Sequence, residues 1–158
     1  SLFLALWSAV IGGVFSAFSE FIMAGLRRAD PAGGIEVMQH INRTVMRTQF
    51  VLGIILITVF SVLLAWYASS NVEGPARVNL ILAPLVYVPT VFLMTVFGNV
   101  PMNKKLERLD HDTSEAKAYW MTYGREWTRL NHFRSVGSVV TAILYGIAAI
   151  QFIVSGQG

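Results

Sequence analysis

Four long apolar stretches dominate the sequence and are separated by polar segments. They lie at about residues 2–26, 50–68, 78–98 and 136–154. Glu20 is the only charged residue within these stretches. Each stretch is close to the ~20 residues with which a helix crosses a hydrocarbon layer about 30 Å thick. Because backbone groups cannot stay unpaired in lipid, the pattern predicts helices. We therefore expect an all-α transmembrane four-helix bundle that forms a single domain over residues 1–158.

The first long polar segment has a helical pattern of its own. The cluster Asp30-Pro31-Ala32-Gly33-Gly34 is typical of a helix end followed by a turn. The segment from Ile35 to Arg47 is amphipathic. Its apolar stripe consists of Met38, Ile41 and Val45, and its polar stripe of Glu36, His40, Arg43 and Arg47. We expect this segment to run directly into the second span as one long helix.

The longest polar segment, 99–135, predicts a cytoplasmic helical extension of the bundle. Pro101 indicates a turn or a helix start, and residues 104–109 a short helix. Thr113 is a typical N-cap for a further helix that continues into the fourth span. One face of that helix carries Trp120, Tyr123, Trp127, Leu130, Asn131 and Arg134. This face forms an interfacial belt or packing surface, or it lines a pocket for an aromatic ligand.

The composition agrees with a membrane protein and excludes several other classes. Hydrophobic residues make up 54% of the chain and the mean hydropathy is +0.57. Charged residues make up only 13%, which is about half their share in a typical soluble domain. The absence of cysteine excludes thiolate catalysis, cysteine-ligated zinc and iron–sulfur clusters.

The net charge of +3 reflects an uneven distribution of basic residues rather than a basic surface. Of the 12 lysines and arginines, only Arg77 lies in the segment 69–77, and the other 11 lie in the segments 27–49 and 99–135. The positive-inside rule predicts that these two segments face the cytoplasm and that both termini lie outside, in an inner (cytoplasmic) membrane. A nucleic-acid partner is not needed to explain the charge, and we expect none.

Glu20 is the ionisable side chain inside the apolar stretches. It continues a four-residue spacing of the small residues Ser8, Gly12 and Ser16, which let membrane helices approach closely. We therefore expect it to face the bundle interior, where an ionisable group indicates a functional site. The alternative is a carboxylate that reaches the interface or pairs with an arginine.

Two histidines lie just beyond the ends of the spans on the predicted cytoplasmic side. His40 and His132 could meet near Glu20 and form a metal site, or they could ligate haem across the bundle. The spacing contains no metal-binding motif, and two surface histidines explain the sequence equally well. The cofactor stays open between none, haem and a transition-metal ion.

A second polar set gathers at the same end of the bundle. Asn99 and Asn103 flank a proline at the membrane interface, and Asn131 and Arg134 enter the fourth span. Amides can orient a carbonyl or hydroxyl group, and an arginine can stabilise an enolate or carboxylate. The alternatives are that the asparagines cap helix ends and that Arg134 marks the cytoplasmic boundary of the span.

Three short motifs resemble a known family. The sequence Asn99-Val100-Pro101-Met102-Asn103, and then Trp127-x-x-x-Asn131-x-x-Arg134, is similar to the DUF1772, or anthrone oxygenase-like, family of small four-helix membrane proteins. The stretch Met38-x-x-Ile41-Asn42 resembles it as well. The resemblance implies the oxidation, known for some members, of anthrones to anthraquinones with molecular oxygen. The site residues it implies are Asn99, Pro101, Asn103, Trp127, Asn131 and Arg134.

The resulting hypothesis is a membrane-embedded, oxygenase-like oxidoreductase. Its substrate is small and hydrophobic, is aromatic on the family resemblance, and enters from the bilayer. Glu20 or His132 would be the base, and Asn103, Asn131 and Arg134 would hold the developing oxyanion. The predicted substrate-binding residues are Asn42, Asn99, Trp120 and Trp127.

The alternative hypothesis is a non-catalytic haem- or metal-binding membrane protein with His40 and His132 as ligands, or an accessory subunit of a larger membrane complex. A homo-oligomer is compatible with both hypotheses. A transporter is disfavoured, because the sequence shows no two related halves.

Overall fold

The computed structural model describes residues 1–156, and this part of the chain is made of helices and short turns, without strands. The helices are α1 Leu2–Arg28, α2 Pro31–Val45, α3 Gln49–Asn71, α4 Pro75–Glu107 and α5 Ser114–Val154. All except α2 are long and apolar enough to cross a membrane. The prediction of an all-α four-helix bundle is confirmed, and such helices are those of an integral membrane protein.

Close helix approach holds the bundle together. α5 packs against both α1 and α4. A Cβ atom on Gly12 of α1 would lie 3.1 Å from the Cβ atom of Ser138 on α5, and Gly137 packs directly against Thr90 of α4. Small residues at these crossings let the backbones approach, which is how membrane helices gain packing energy. Large apolar side chains cover the outer faces, as contact with lipid requires, and Trp66 is 76% exposed.

A second packed layer, which we call the cap, covers one end of the bundle. It combines α2 with the adjoining ends of α1, α4 and α5. Its buried core consists of Met23, Ile35, Met38, Leu106, Ala116, Trp120, Tyr123 and Trp127. The Gln39 side chain donates hydrogen bonds to the carbonyl oxygens of Leu106 and Leu109, both at 2.9 Å, and so ties α2 to the end of α4. Glu36, His40 and Arg43, on the polar stripe of α2, are exposed, and so is Arg47 in the turn that follows.

The expected continuous helix from α2 into α3 is wrong. α2 ends at Val45, and α3 begins at Gln49. Thr48 between them has an extended backbone, with φ −102° and ψ 161°, and its hydroxyl donates to the Val45 carbonyl at 2.7 Å. Such side-chain bonds compete with helical ones. The break lets α2 bury Met38 in the cap while α3 crosses the bundle.

The expected turn at Pro101 and the separate helix at 104–109 are also wrong, because α4 continues without a break to Glu107. The alternative of a helix start is met in part, since Pro101 lies in the first turn of an α-helical segment of α4, Val100–Glu107. Proline lacks an N–H group and clashes with the carbonyl of the preceding turn. Pro89 lies inside one wider π-helical segment, Val88–Leu93, and Pro101 follows a second one, Thr95–Asn99, so that both prolines are accommodated without a break in α4.

The predicted start of the last helix is confirmed. The Thr113 hydroxyl accepts a hydrogen bond from the Ala116 amide at 3.2 Å. From there α5 runs without a break through the fourth span.

Candidate active site

A cavity of about 690 Å³ lies between the cap and the bundle. All five helices contribute to its wall, which is mostly apolar and includes Phe15, Ile54 and Phe92. The polar groups on the wall include Asn42, Asn99, Asn103, Asn131 and Arg134. This volume falls within the roughly 300–1,000 Å³ of typical small-molecule sites, which combine apolar walls with a few polar groups.

Arg134 is the one charged side chain that lines the cavity within the described part of the chain. It is only 6% exposed, and its guanidinium carbon lies 3.9 Å from the centre of the Phe15 ring. No ion pair among residues 1–156 includes it, and its Nε atom has no hydrogen-bond partner there. A buried cation without a counterion is costly. The cavity is therefore electrostatically suited to an anionic ligand.

Asn131 lies almost one turn before Arg134 on α5 and is fully buried. Its amide nitrogen donates to the Phe15 carbonyl at 2.7 Å and to the Ser19 hydroxyl at 2.8 Å. Its oxygen has no partner among the described residues. The donor side of this amide is thus committed to holding α1 against α5, and the acceptor side remains free.

Asn99 and Asn42 add one free acceptor and one free donor. The Asn99 nitrogen donates to the Trp127 carbonyl at 3.2 Å, which leaves its oxygen unpaired within the described chain. The Asn42 nitrogen makes no hydrogen bond of standard geometry there, although it lies near the Tyr123 hydroxyl, which already donates to Asn103. Since buried polar groups are nearly always paired, these atoms mark positions where a ligand can bond.

Asn103 connects the cavity to the cap. Its oxygen accepts from the Tyr123 hydroxyl at 2.9 Å and from the Trp127 indole nitrogen at 2.8 Å. Trp127 lines the cavity, whereas Trp120 does not. Trp120 lies in the cap core and stacks on Tyr123, with ring centres 5.4 Å apart. These rings hold Trp127 and Asn103 in place.

Three candidate residues lie away from the cavity. Glu20, His40 and His132 are all exposed and are absent from the cavity wall. The expectation that Glu20 faces the bundle interior is therefore wrong. Four residues advance an α-helix by about 400°, so a stripe with this spacing drifts by roughly 80° from Ser8 to Ser16. Glu20 then lies in a wider π-helical segment, Phe18–Ile22, where α-helical spacing does not hold. His132 follows the buried Asn131 directly and therefore points about 100° away from it.

The two histidines do not come together with Glu20 as potential metal ligands. Among residues 1–156, the group of three side chains with the spacing for a metal ion is Asp110, His111 and Asp112. It lies in the turn between α4 and α5, outside the cavity, and both of its aspartates are exposed.

Two aromatic residues of the site were not identified from the sequence. Phe15 lies under the Arg134 guanidinium, and Tyr87 is fully buried with an unpaired hydroxyl, close enough to Arg134 for an electrostatic interaction. Phe15 follows the buried Ile11 by one helical turn, a spacing that could have identified it. Tyr87 lies in an apolar span, where a buried polar atom indicates a specific role.

A comparison with protein families identifies this chain. The model of the anthrone oxygenase family matches residues 42–144, about two thirds of the chain. No curated protein matches the chain, and no solved structure does so. The matched range contains every polar cavity residue discussed above, from Asn42 to Arg134, and it excludes Glu20 and His40. The chain therefore belongs to the anthrone oxygenase family.

Proposed function

We propose that this protein is a membrane-embedded oxygenase that converts a small hydrophobic carbon acid, such as an anthrone, into the corresponding quinone. The observation that carries the proposal is the buried Arg134, which has no counterion and faces an apolar cavity of the right size. Family membership supports the oxygenase class. The substrate itself is a proposal.

The reaction balances with molecular oxygen as the oxidant. The methylene carbon of the anthrone loses one proton, which gives a conjugated enolate. This carbanion forms a C–O bond with O₂, and a proton completes a hydroperoxide. Loss of the second methylene hydrogen as a proton, together with cleavage of the O–O bond, gives the new carbonyl and one water molecule. One oxygen atom ends in the quinone and the other in water.

The proposed contribution of the protein is stabilisation of the enolate. Arg134 and the free Asn42 nitrogen supply donors for the oxyanion, while the free oxygens of Asn99 and Asn131 accept from a hydroxyl group of the ligand. Donors that are fixed in a water-poor site stabilise a developing anion strongly, and losing one costs about 10²–10³ in rate.

Glu20 and His132 are not assigned the role of base in this proposal, because neither lines the cavity. Within residues 1–156, no aspartate, glutamate or histidine does so. Arg134 instead makes the substrate more acidic by stabilising its anion, and the proton passes to water. Forming the enolate beside Arg134 therefore needs a weaker base than forming it in free solution.

The direct test uses the purified protein in lipid nanodiscs with anthrone and oxygen-18 gas. We expect anthraquinone to form faster than in nanodiscs without protein, with one labelled atom in the quinone and one in water. Equal rates with and without protein would count against anthrone as the substrate. Quinone without the label would count against an oxygenase.

We also propose that the cap faces the cytoplasm, because it carries most of the basic residues. The cysteine-free chain allows a test with single cysteines and an impermeant thiol reagent added to intact spheroplasts. Glu73→Cys, in the exposed turn between α3 and α4, should react, and Asp112→Cys should not. The opposite pattern would reverse the orientation.

A further inference from the structure

The wall of the cavity differs between its cap side and its membrane side. On the cap side, Met38 and Trp127 line the cavity and are 1% and 5% exposed. Behind them lie Ile35, Trp120 and Tyr123, none more than 2% exposed. The hydrogen bonds of Gln39 to the end of α4 hold this layer closed. A ligand that arrives from water behind Met38 and Trp127 meets a packed core. Beside them, the turn between α2 and α3 is thinner, because Met46 lines the cavity there at 62% exposure.

On the membrane side, the wall is thin. Ile55 of α3 and Val96 of α4 both line the cavity, yet they are 45% and 41% exposed. Each side chain faces both the cavity and the outside. At that point, a single side chain therefore separates the cavity from the outside. Both residues belong to the apolar parts of spanning helices, so the surface outside them faces lipid.

The polar groups of the cavity are more deeply buried than this thin wall. Asn99 and Asn131 are 1% and 0% exposed, and Arg134 is 6% exposed. A ligand that passes Ile55 and Val96 therefore meets apolar side chains first and the cation last. A molecule already carrying a charge would dissolve poorly in the hydrocarbon layer.

We propose that the cavity takes its ligand sideways from the bilayer through a portal at Ile55 and Val96, and that the ligand is an uncharged, membrane-dissolved molecule that becomes anionic only beside Arg134. The ionisation step rests on the proposed function. The route does not, because it follows from the two walls.

A reporter inside the cavity tests the route without any substrate. Ile54→Cys places a thiol on the cavity wall at a position that is 3% exposed, in a chain without other cysteines. The protein is reconstituted in nanodiscs, whose two faces are both open to water. We expect a small apolar maleimide to react with this thiol and a charged, water-soluble thiosulfonate to react far more slowly.

A plug at the portal and a matched control sharpen the test. In the Ile54→Cys protein, Val96→Trp should slow the apolar reagent by about tenfold or more, because entry then requires a transient opening of the bundle. Leu93→Trp lies on the same helix at 40% exposure but does not line the cavity, and it should leave the rate nearly unchanged.

A second pair of variants guards against misfolding of the first. If Val96→Trp fails to fold, Ile55→Trp takes its place, with Val59→Trp, at 47% exposure, as its control. Equal rates in the plugged and control variants would overturn the portal. So would equal labelling by the charged reagent, or no labelling by either reagent. Because no substrate is used, these results are independent of whether anthrone is oxidised.

Discussion

The cap and the cavity beneath it are built from the same helices but treat their polar groups in opposite ways. In the cap, Gln39 makes two hydrogen bonds, and the Tyr123 and Trp127 side chains both donate to Asn103. In the cavity, Arg134 and Asn42 keep donors that make no hydrogen bond of standard geometry in the described chain. A layer that stabilises a fold pairs its polar atoms, whereas a layer that binds a ligand leaves some free.

The difference predicts two separable classes of variant. Changes in the cap should lower the free energy of unfolding, with activity following only as the fold is lost. Changes at the free polar atoms of the cavity should lower activity and leave stability near its original value, because those atoms contribute no internal bond. The predictions below test this separation.

The largest effect is expected for Trp120→Ala in the cap core. Trp120 is 2% exposed and stacks on Tyr123. Removing a buried aromatic ring costs about 3–5 kcal/mol of unfolding free energy. Denaturant unfolding in detergent measures this loss, with the exposed Trp66→Ala as the control that should change little. Equal stabilities of the two variants would show that the cap core contributes little to the free energy of unfolding.

The next effect is expected for Asn42→Ala in the cavity. It removes a free donor, and kcat/KM for quinone formation should fall by about 10²–10³, the range for loss of one oxyanion donor. Asn42→Asp keeps the shape and puts a negative charge there, so its loss should be at least as large. The control is Asn79→Ala, whose side chain bonds to Gln151 away from the cavity. A similar fall in the control would refute a specific role for Asn42.

A smaller effect, on stability alone, is expected for Gln39→Ala. This change leaves the carbonyls of Leu106 and Leu109 without their side-chain donor, at a cost of about 1–3 kcal/mol. Thermal unfolding measures it, and kcat/KM of the folded fraction should stay close to the original value. A loss of activity without a loss of stability would place Gln39 with the cavity instead.

The smallest effect is expected for Glu20→Gln and His132→Ala. Both side chains are exposed, and exposed substitutions change free energies by about 0.5 kcal/mol or less, which corresponds to about a twofold change in rate. Initial rates of oxygen consumption measure the outcome. Loss of turnover in either variant would restore that residue as the base.

The bundle can be predicted from the sequence because each span is a long apolar run. This signal is visible without knowing which helices pack against one another. The turn at Thr48 and the continuation through Pro101 could not be predicted in this way. In both places, packing against another helix decides between two local conformations that the residues allow. Burial of Met38 holds α2 in the cap, and π-helical turns let α4 continue beyond its prolines.

Part of the candidate site could also be predicted, because its polar residues lie on helix faces that the spacing identifies. Asn99, Asn103, Asn131 and Arg134 all line the cavity. Glu20 was assigned to the interior from a four-residue spacing that drifts around an α-helix and does not hold in the π-helical segment Phe18–Ile22. The free and committed atoms of each amide depend on partners in other helices, which no single sequence segment encodes.

The central claim is that Arg134 serves a ligand rather than the fold. The most direct measurement compares Arg134→Gln with Arg129→Gln, an exposed arginine of the same helix, in both kcat/KM for quinone formation and melting temperature. We predict that Arg134→Gln loses about 10²–10³ in kcat/KM. Its melting temperature should be unchanged or higher, because a buried cation without a partner is removed. Retained activity, or a loss of activity matched by a lower melting temperature, would contradict the claim.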